Sequence, residues 1–280
     1  MTDDRIDAVA DAMIALGSDG IVQFDTTEPE YEFITATVDI VESDAHLALL
    51  SILAATQDYY LSGDAQLFWR TLERIVLDRD DISTETDVNA TLNEFMDEPV
   101  NARSRSQKKD RLVRMANNGF GEWFLDNYPN VVPLAVWDKI AAALETKKDK
   151  KTVVIAMKVY DIYNLVDNGE YLELPVDLPI PCDLQVERVA IGSGIIEPNE
   201  RSQVMDAWAA VLERVNMGLE QPVSMLRIDS IVWQAGQIIS DHRDRREPSR
   251  RALESYFVDH VGLDAMDGER LANELTAALQ

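Results

Sequence analysis

The sequence predicts an all-α protein, and three observations carry that prediction. Apolar residues recur at three- and four-residue spacing through about twelve segments. A single stretch, residues 30–41, has strand-like composition. No fixed-period repeat and no low-complexity linker interrupts the 280 residues, so the chain reads as a single domain, 1–280, with no clear break.

The elements follow in order. Residues 6–17 (IDAVADAMIALG) read as a first helix closed by Gly17. Residues 30–41 (EYEFITATVDIV) are expected to be an isolated β piece or irregular. Helical spacing resumes at 46–61, 65–77 and 86–96, ahead of a basic stretch at 101–118. Residues 121–129 form a short helix stopped by Pro129. Residues 132–145 lead into a lysine cluster, and 151–166 read as one long helix. Asp183 stands where an N-cap belongs, before 184–194. Segments 201–218 and 223–240 and two C-terminal helices complete the chain.

Composition bounds the function. A hydrophobic fraction of 46% with 7% aromatics belongs to a folded globular protein with a large core. Net charge is −25, from 51 acidic and 26 basic residues. The charge is spread along the chain, which excludes an acidic tail, and the hydrophobic runs exclude a disordered acidic chain. The reading that remains is adaptation to very high intracellular salt. At molar salt the Debye length is about 3 Å, so net charge does not exclude a DNA partner.

The one cysteine, Cys182, rules out an intrachain disulfide and a four-cysteine cluster or zinc site. His46, His242 and His260 are scattered without ligand spacing. A carboxylate magnesium site stays open on sequence alone. The acidic, amphipathic start is not a signal peptide, and no apolar run reaches transmembrane length. The expectation is a cytoplasmic monomer without a membrane contact.

The lysines are the sharpest clue. Five of the eight fall in KKDKKTVVIAMK, residues 147–158, and a proline-stiffened LPIPCD at 178–183 follows. Lysine is the basic side chain whose pKa can be lowered enough to make it a nucleophile. Lys151, Ile155 and Lys158 stand at i, i+4 and i+7, on one helix face. Either that face is solvated, or the helix is buried and its amines are pushed toward neutrality by burial and by one another. Asp183 reads as a plain N-cap or as a capped catalytic carboxylate. Asp229 and Trp233, at i and i+4, are either a salt-bridged aspartate and a core tryptophan or the lining of a pocket. Trp69 is a core residue or a stacking plate. Two basic clusters (Arg103, Arg105, Lys108, Lys109, Arg111, Arg114, and Arg243, Arg245, Arg246, Arg250, Arg251) contact phosphates or pair internally.

KKTVVIAMKVYDIYN, LPVDLPIPCDLQVERVA and IDSIVWQAGQII resemble the archaeal 8-oxoguanine DNA glycosylase family (archaeal GO glycosylase). That family is a branch of the helix-hairpin-helix base-excision enzymes. The resemblance is strongest over 150–239 and reaches back through SRSQKKDRLVR and LSGDAQLFW to EPEY. It implies a two-lobed helix-hairpin-helix fold with a cleft between the lobes and the hairpin region at 132–190. It implies a glycosylase and AP lyase acting on DNA that contains oxidised guanine, with no metal and no organic cofactor. The family's nucleophile falls on Lys151, its catalytic aspartate on Asp183 and its second pocket lysine on Lys158. Base-pocket positions fall on Trp69, Ile155, Pro181, Asp229 and Trp233, and the family's base-reading glutamine on Glu30.

There are two departures. A carboxylate at Glu30 cannot donate as an amide does unless it is protonated. The hairpin LETKKDKK has no glycine where the superfamily places one. Lys147 and Lys148 are therefore expected to contact DNA phosphates, together with Lys108 and Lys109. Two alternatives stand beside this reading: a non-catalytic helix-hairpin-helix DNA binder, and the same chemistry on another lesion.

Overall fold

A computed structural model describes residues 3–41, 43–79 and 81–280. Fourteen α-helices follow one another among them: α1 (Asp3–Val22), α2 (Pro29–Thr37), α3 (Asp44–Ala55), α4 (Ala65–Leu77), α5 (Glu85–Asp97), α6 (Arg105–Asn117), α7 (Phe120–Asn127), α8 (Pro133–Ala143), α9 (Lys151–Asn168), α10 (Leu184–Gly192), α11 (Val204–Gly218), α12 (Met225–Asp241), α13 (Arg246–Ser255) and α14 (Ala265–Leu275). Short 3-10 turns at Gln23–Thr27, Pro99–Asn101 and Arg201–Gln203, and a π turn at Tyr256–Val261, join some of them. No strand occurs among the described residues.

The expected β piece is instead a helix and a turn. Pro29 occupies the first turn of α2, where its fixed φ suits a helix start. Phe33, Ile34 and Thr37 then bury one side of it. The β-branched residues that suggested a strand are packed on a helix face, because burial outweighs a weak propensity. Gly17 closes the first helical piece of α1 as expected, since its backbone (φ 66, ψ 173) leaves helical geometry there. A second helical piece runs on to Val22.

The chain divides into two compact units. Unit 2 is the continuous stretch Glu28–Leu174. Its core packs α3 on α9 and α2 on α4 and α9. Leu49, Leu50, Ile52, Val153, Val154 and Met157 are wholly buried there. Phe33, Phe68 and Phe95 form a chain of ring contacts through Trp69 and Phe68 at 4.7–5.4 Å. Each such ring contributes about 2–3 kcal/mol by leaving water.

Unit 1 combines α1 and Gln23–Thr27 with Pro175–Gln280. In it α1 packs against α11 and α14, and α10 against α12. Ile6, Val9, Met13, Trp208, Val211, Ile228 and Ile231 fill its core. The α10–α12 approach depends on Gly236, where an added Cβ would lie 2.6–2.9 Å from Gln185, backbone included. That close approach fixes the start of α10 against the middle of α12.

Candidate active site

Unit 2 carries the lysine face. Lys151 is the first residue of α9 and is half-buried, and no acid stands in that first turn. From Val153 to Tyr163 every residue of α9 is buried. The solvated-face reading therefore fails for Ile155 and Lys158, which are 9% and 4% exposed. Lys158 Nζ donates to Glu28 Oε1 at 2.9 Å, an ion pair inside the unit.

Glu30, in the first turn of α2, lies in the same neighbourhood and is 6% exposed. Burial pushes its carboxyl well above the usual carboxylate range. The charge of Glu28 adds to that push, Lys158 opposes it, and Asp58 adds again. Its Oε2 has no hydrogen-bond partner among the described residues. The same holds for Trp69 Nε1, Gln57 Oε1 and Tyr59 Oη. Trp69 is buried against Phe33 of α2 and Phe68 of its own helix. Buried polar atoms without partners cost free energy unless a ligand or water completes them.

The structure corrects one expected phosphate contact. Lys108 is wholly buried, and its Nζ donates to Asn101 Oδ1 at 2.8 Å. Its ammonium sits 5.2 Å from the Tyr59 ring centre and 5.6 Å from that of Phe68. Burial lowers its pKa to about 8, against an opposing pull from Asp58. It is a core lysine and does not face a phosphate. A signal for this was present: Lys108, Leu112 and Met115 stand at i, i+4 and i+7, and all three are buried.

The remaining lysines stay near the surface. Lys109 pairs with Asp97 at 2.7 Å. Lys148 pairs with Asp138, lies 5.1 Å from the Trp137 ring centre, and accepts from Trp137 Nε1 through its carbonyl. Lys147 is exposed. Lys147 and Lys148 lie in the turn between α8 and α9, where Glu145 takes the left-handed φ of 54 that a glycine would adopt without strain. Several arginines of the first basic cluster pair internally. Arg105 donates to Asp97 O, Arg111 to Thr56 O and Thr152 Oγ1, and Arg114 to Leu144 O.

Unit 1 carries the aspartates. Asp183 is the N-cap of α10, and its Oδ1 accepts from Gln185 N at 2.8 Å and Val186 N at 3.1 Å. Such a cap contributes about 1 kcal/mol and holds the carboxylate in one orientation. Pro181 is buried two residues earlier. On α12, Asp229 is 3% exposed and Trp233 is half-buried, one turn apart. The same helix carries an ion pair that sequence reasoning missed. Arg227 Nη1 donates to Asp25 Oδ2 at 2.8 Å, and Ser230 Oγ donates to Asp25 Oδ1 at 2.6 Å. No helix among the described residues is long and apolar enough to cross a membrane.

Comparison with known proteins identifies the family. A family model described as N-glycosylase/DNA lyase (AGOG) matches residues 10–267. The N-glycosylase/DNA lyase of Pyrobaculum aerophilum is 23% identical over 248 residues, covering 84% of this chain and 87% of its own. That of Aeropyrum pernix is 26% identical over 245 residues, with 83% of each chain covered. Among solved structures, the 8-oxoguanosine complex of Pa-AGOG, the 8-oxoguanine DNA glycosylase from Pyrobaculum aerophilum, superposes with a TM-score of 0.74. It is 17% identical and covers 98% of this chain and 97% of its own, a likeness of fold. With the family match running from α1 into α14, the chain belongs to the AGOG family of N-glycosylase/DNA lyases.

Proposed function

We propose that this enzyme removes 8-oxoguanine from DNA through a Schiff base on Lys151, working as a cytoplasmic monomer. The placement of Lys151 carries this reading. It opens α9, half-buried, with no acid in the first turn of that helix. The structural neighbour is a complex with 8-oxoguanosine, which supports the choice of lesion.

A flipped nucleotide presents its sugar to Lys151 and its base to the pocket. In unit 2 the proposed base contacts are Trp69 and Ile155, with Lys158 holding Glu28 in place; in unit 1 they are Trp233 and Pro181. Asp229 accepts from the ring, since 8-oxoguanine differs from guanine by a proton on N7. The neutral amine attacks C1′, and the bond to the base breaks. Asp183, with Oδ1 held by the α10 N-terminus, stabilises the positive charge that grows on the sugar and passes protons. The opened sugar is then joined to Lys151 as a Schiff base, and β-elimination cuts the strand on its 3′ side. Lys147, Lys148 and Lys109 neutralise phosphates.

Borohydride trapping on an 8-oxoguanine duplex in high salt tests the reading. Wild type gives a covalent adduct and Lys151→Gln gives none, a loss of about 10³-fold or more. Asp183→Asn loses about 10²-fold or more in turnover and keeps DNA binding. An adduct that persists in Lys151→Gln removes Lys151 from the role. Trapping on a different lesion alone replaces 8-oxoguanine with that lesion.

A further inference from the structure

The carboxyls of unit 2 outnumber the buried cations beside them. Glu28, Glu30 and Asp58 are 1%, 6% and 8% exposed. Two buried lysines stand in the same unit, and both are engaged. Lys158 donates to Glu28, and Lys108 donates to Asn101 with Asp58 nearby. The helices packed on α2 are α4 and α9. From α4 no buried charge arrives: Arg70 and Arg74 are exposed, and Glu73 is half-buried. From α9 come Lys158, the half-buried Lys151, and Asp161, which accepts from Leu172 N at 2.7 Å. Glu30 Oε2 meets no donor among the described residues. A buried carboxylate normally draws several hydrogen-bond donors or a cation of its own, and an un-ionised carboxyl needs neither.

We propose that Glu30 works as an un-ionised carboxylic acid, donating a hydrogen bond to an acceptor atom on the edge of the flipped base, a ring carbonyl or imine nitrogen. The proposal rests on the base-pocket reading above. It gives Glu30 the same donor-and-acceptor pair that a glutamine amide offers, with one proton that can be lost. Ionisation then has two effects. It removes the donor, and it sets a negative oxygen against the base acceptor. Base excision therefore falls as pH rises through the ionisation of Glu30. The folding equilibrium moves the same way, because burial raises this carboxyl's pKa in the folded state above its unfolded value.

The experiment compares wild type with Glu30→Gln, a near-isosteric change. Single-turnover base excision is followed across pH on an 8-oxoguanine duplex, with alkali cleaving every abasic product so that lyase activity does not enter. Infrared spectra of both proteins, without DNA, report the acid C=O band at neutral pH. The expected result is an alkaline limb in wild type falling about ten-fold per pH unit, absent from Glu30→Gln. In the variant the acid band is lost, and whatever excision it retains no longer changes across the alkaline range. The acid limb, set by the nucleophile, stays in both. An alkaline limb unchanged in Glu30→Gln overturns the proposal. So does a wild-type spectrum without the band, whatever the activity. A band present with no excision at any pH overturns the glycosylase reading instead, and takes the donor role down with it.

Discussion

Two buried ion sites, three residues apart in sequence, are built on opposite plans. In unit 1, Asp25 meets one guanidinium and one hydroxyl, and both of its oxygens are used. In unit 2, Glu28 meets one ammonium while Glu30 and Asp58 crowd the same region. In the first site both carboxylate oxygens are taken by donors within the unit. The second holds surplus acid and an orphaned oxygen. Balanced sites hold a fold, and unbalanced ones are where ligands and protons are handled.

The difference can be broken from either side. The largest effect is expected from Arg227→Met, which leaves the Asp25 carboxylate buried without its cation. Urea unfolding in high salt should show a loss of about 3–5 kcal/mol, with the excision pH profile of the remaining folded enzyme unchanged. A shifted profile would mean that the balanced site also serves catalysis.

Lys158→Met removes the cation of the unbalanced site. We expect about 2–3 kcal/mol of destabilisation at neutral pH, shrinking as acid protonates the carboxyls, since a cluster of acids can take up the missing charge as a proton. A loss that is constant from neutral to acid pH would deny that sharing.

Lys108→Met should cost about 1–3 kcal/mol by leaving Asn101 Oδ1 without its donor. The salt dependence of DNA binding should keep its slope, because no phosphate contact is lost. A slope smaller by about one unit would restore Lys108 to the phosphates. Burial lowers the Lys108 pKa to about 8, so the unfolded chain holds this proton more tightly. Its contribution to stability therefore improves as pH rises above about 8, and Lys108→Met flattens that rise.

The smallest effect is expected from Glu30→Gln on stability. The Glu30 carboxyl is raised in the folded state, so its favourable contribution is full in acid and is lost as pH rises through the folded value. The variant should match wild type near pH 4 and exceed it in thermal melts at high pH, by about 1 kcal/mol. Equal melting across the range would mean that Glu30 ionises freely.

What the sequence displayed depended on the range of the interaction. α4 was legible at both ends because Asp64 caps it and its apolar residues keep one face. Asp183 was legible as a cap because its partners are two and three residues away. The proposed nucleophile and the proposed site aspartates came from motif resemblance, and the all-α class from periodicity. Two things were hidden. The helix at α2 was masked by β-branched residues whose burial only the packed unit reveals. The pairs Asp25–Arg227 and Glu28–Lys158 join residues 202 and 130 positions apart, and no local pattern announces them. Lys108 was misread because a run of basic residues drew more attention than the apolar spacing beneath it.

Unit 1 is assembled from both ends of the described chain, with unit 2 threaded between them. Arg5 makes this visible: its guanidinium binds Glu274 at 2.7 Å and the Glu274 carbonyl at 2.9 Å. On the ribosome, α1 emerges before unit 2, yet the helices it packs against, α11 and α14, are synthesised after unit 2. Unit 2 can close as soon as residue 174 clears the exit tunnel, while α1 waits with its apolar face uncovered. A circularly permuted gene opening at Glu28 would make both units continuous, and its gain in folding yield would measure what that wait costs the cell.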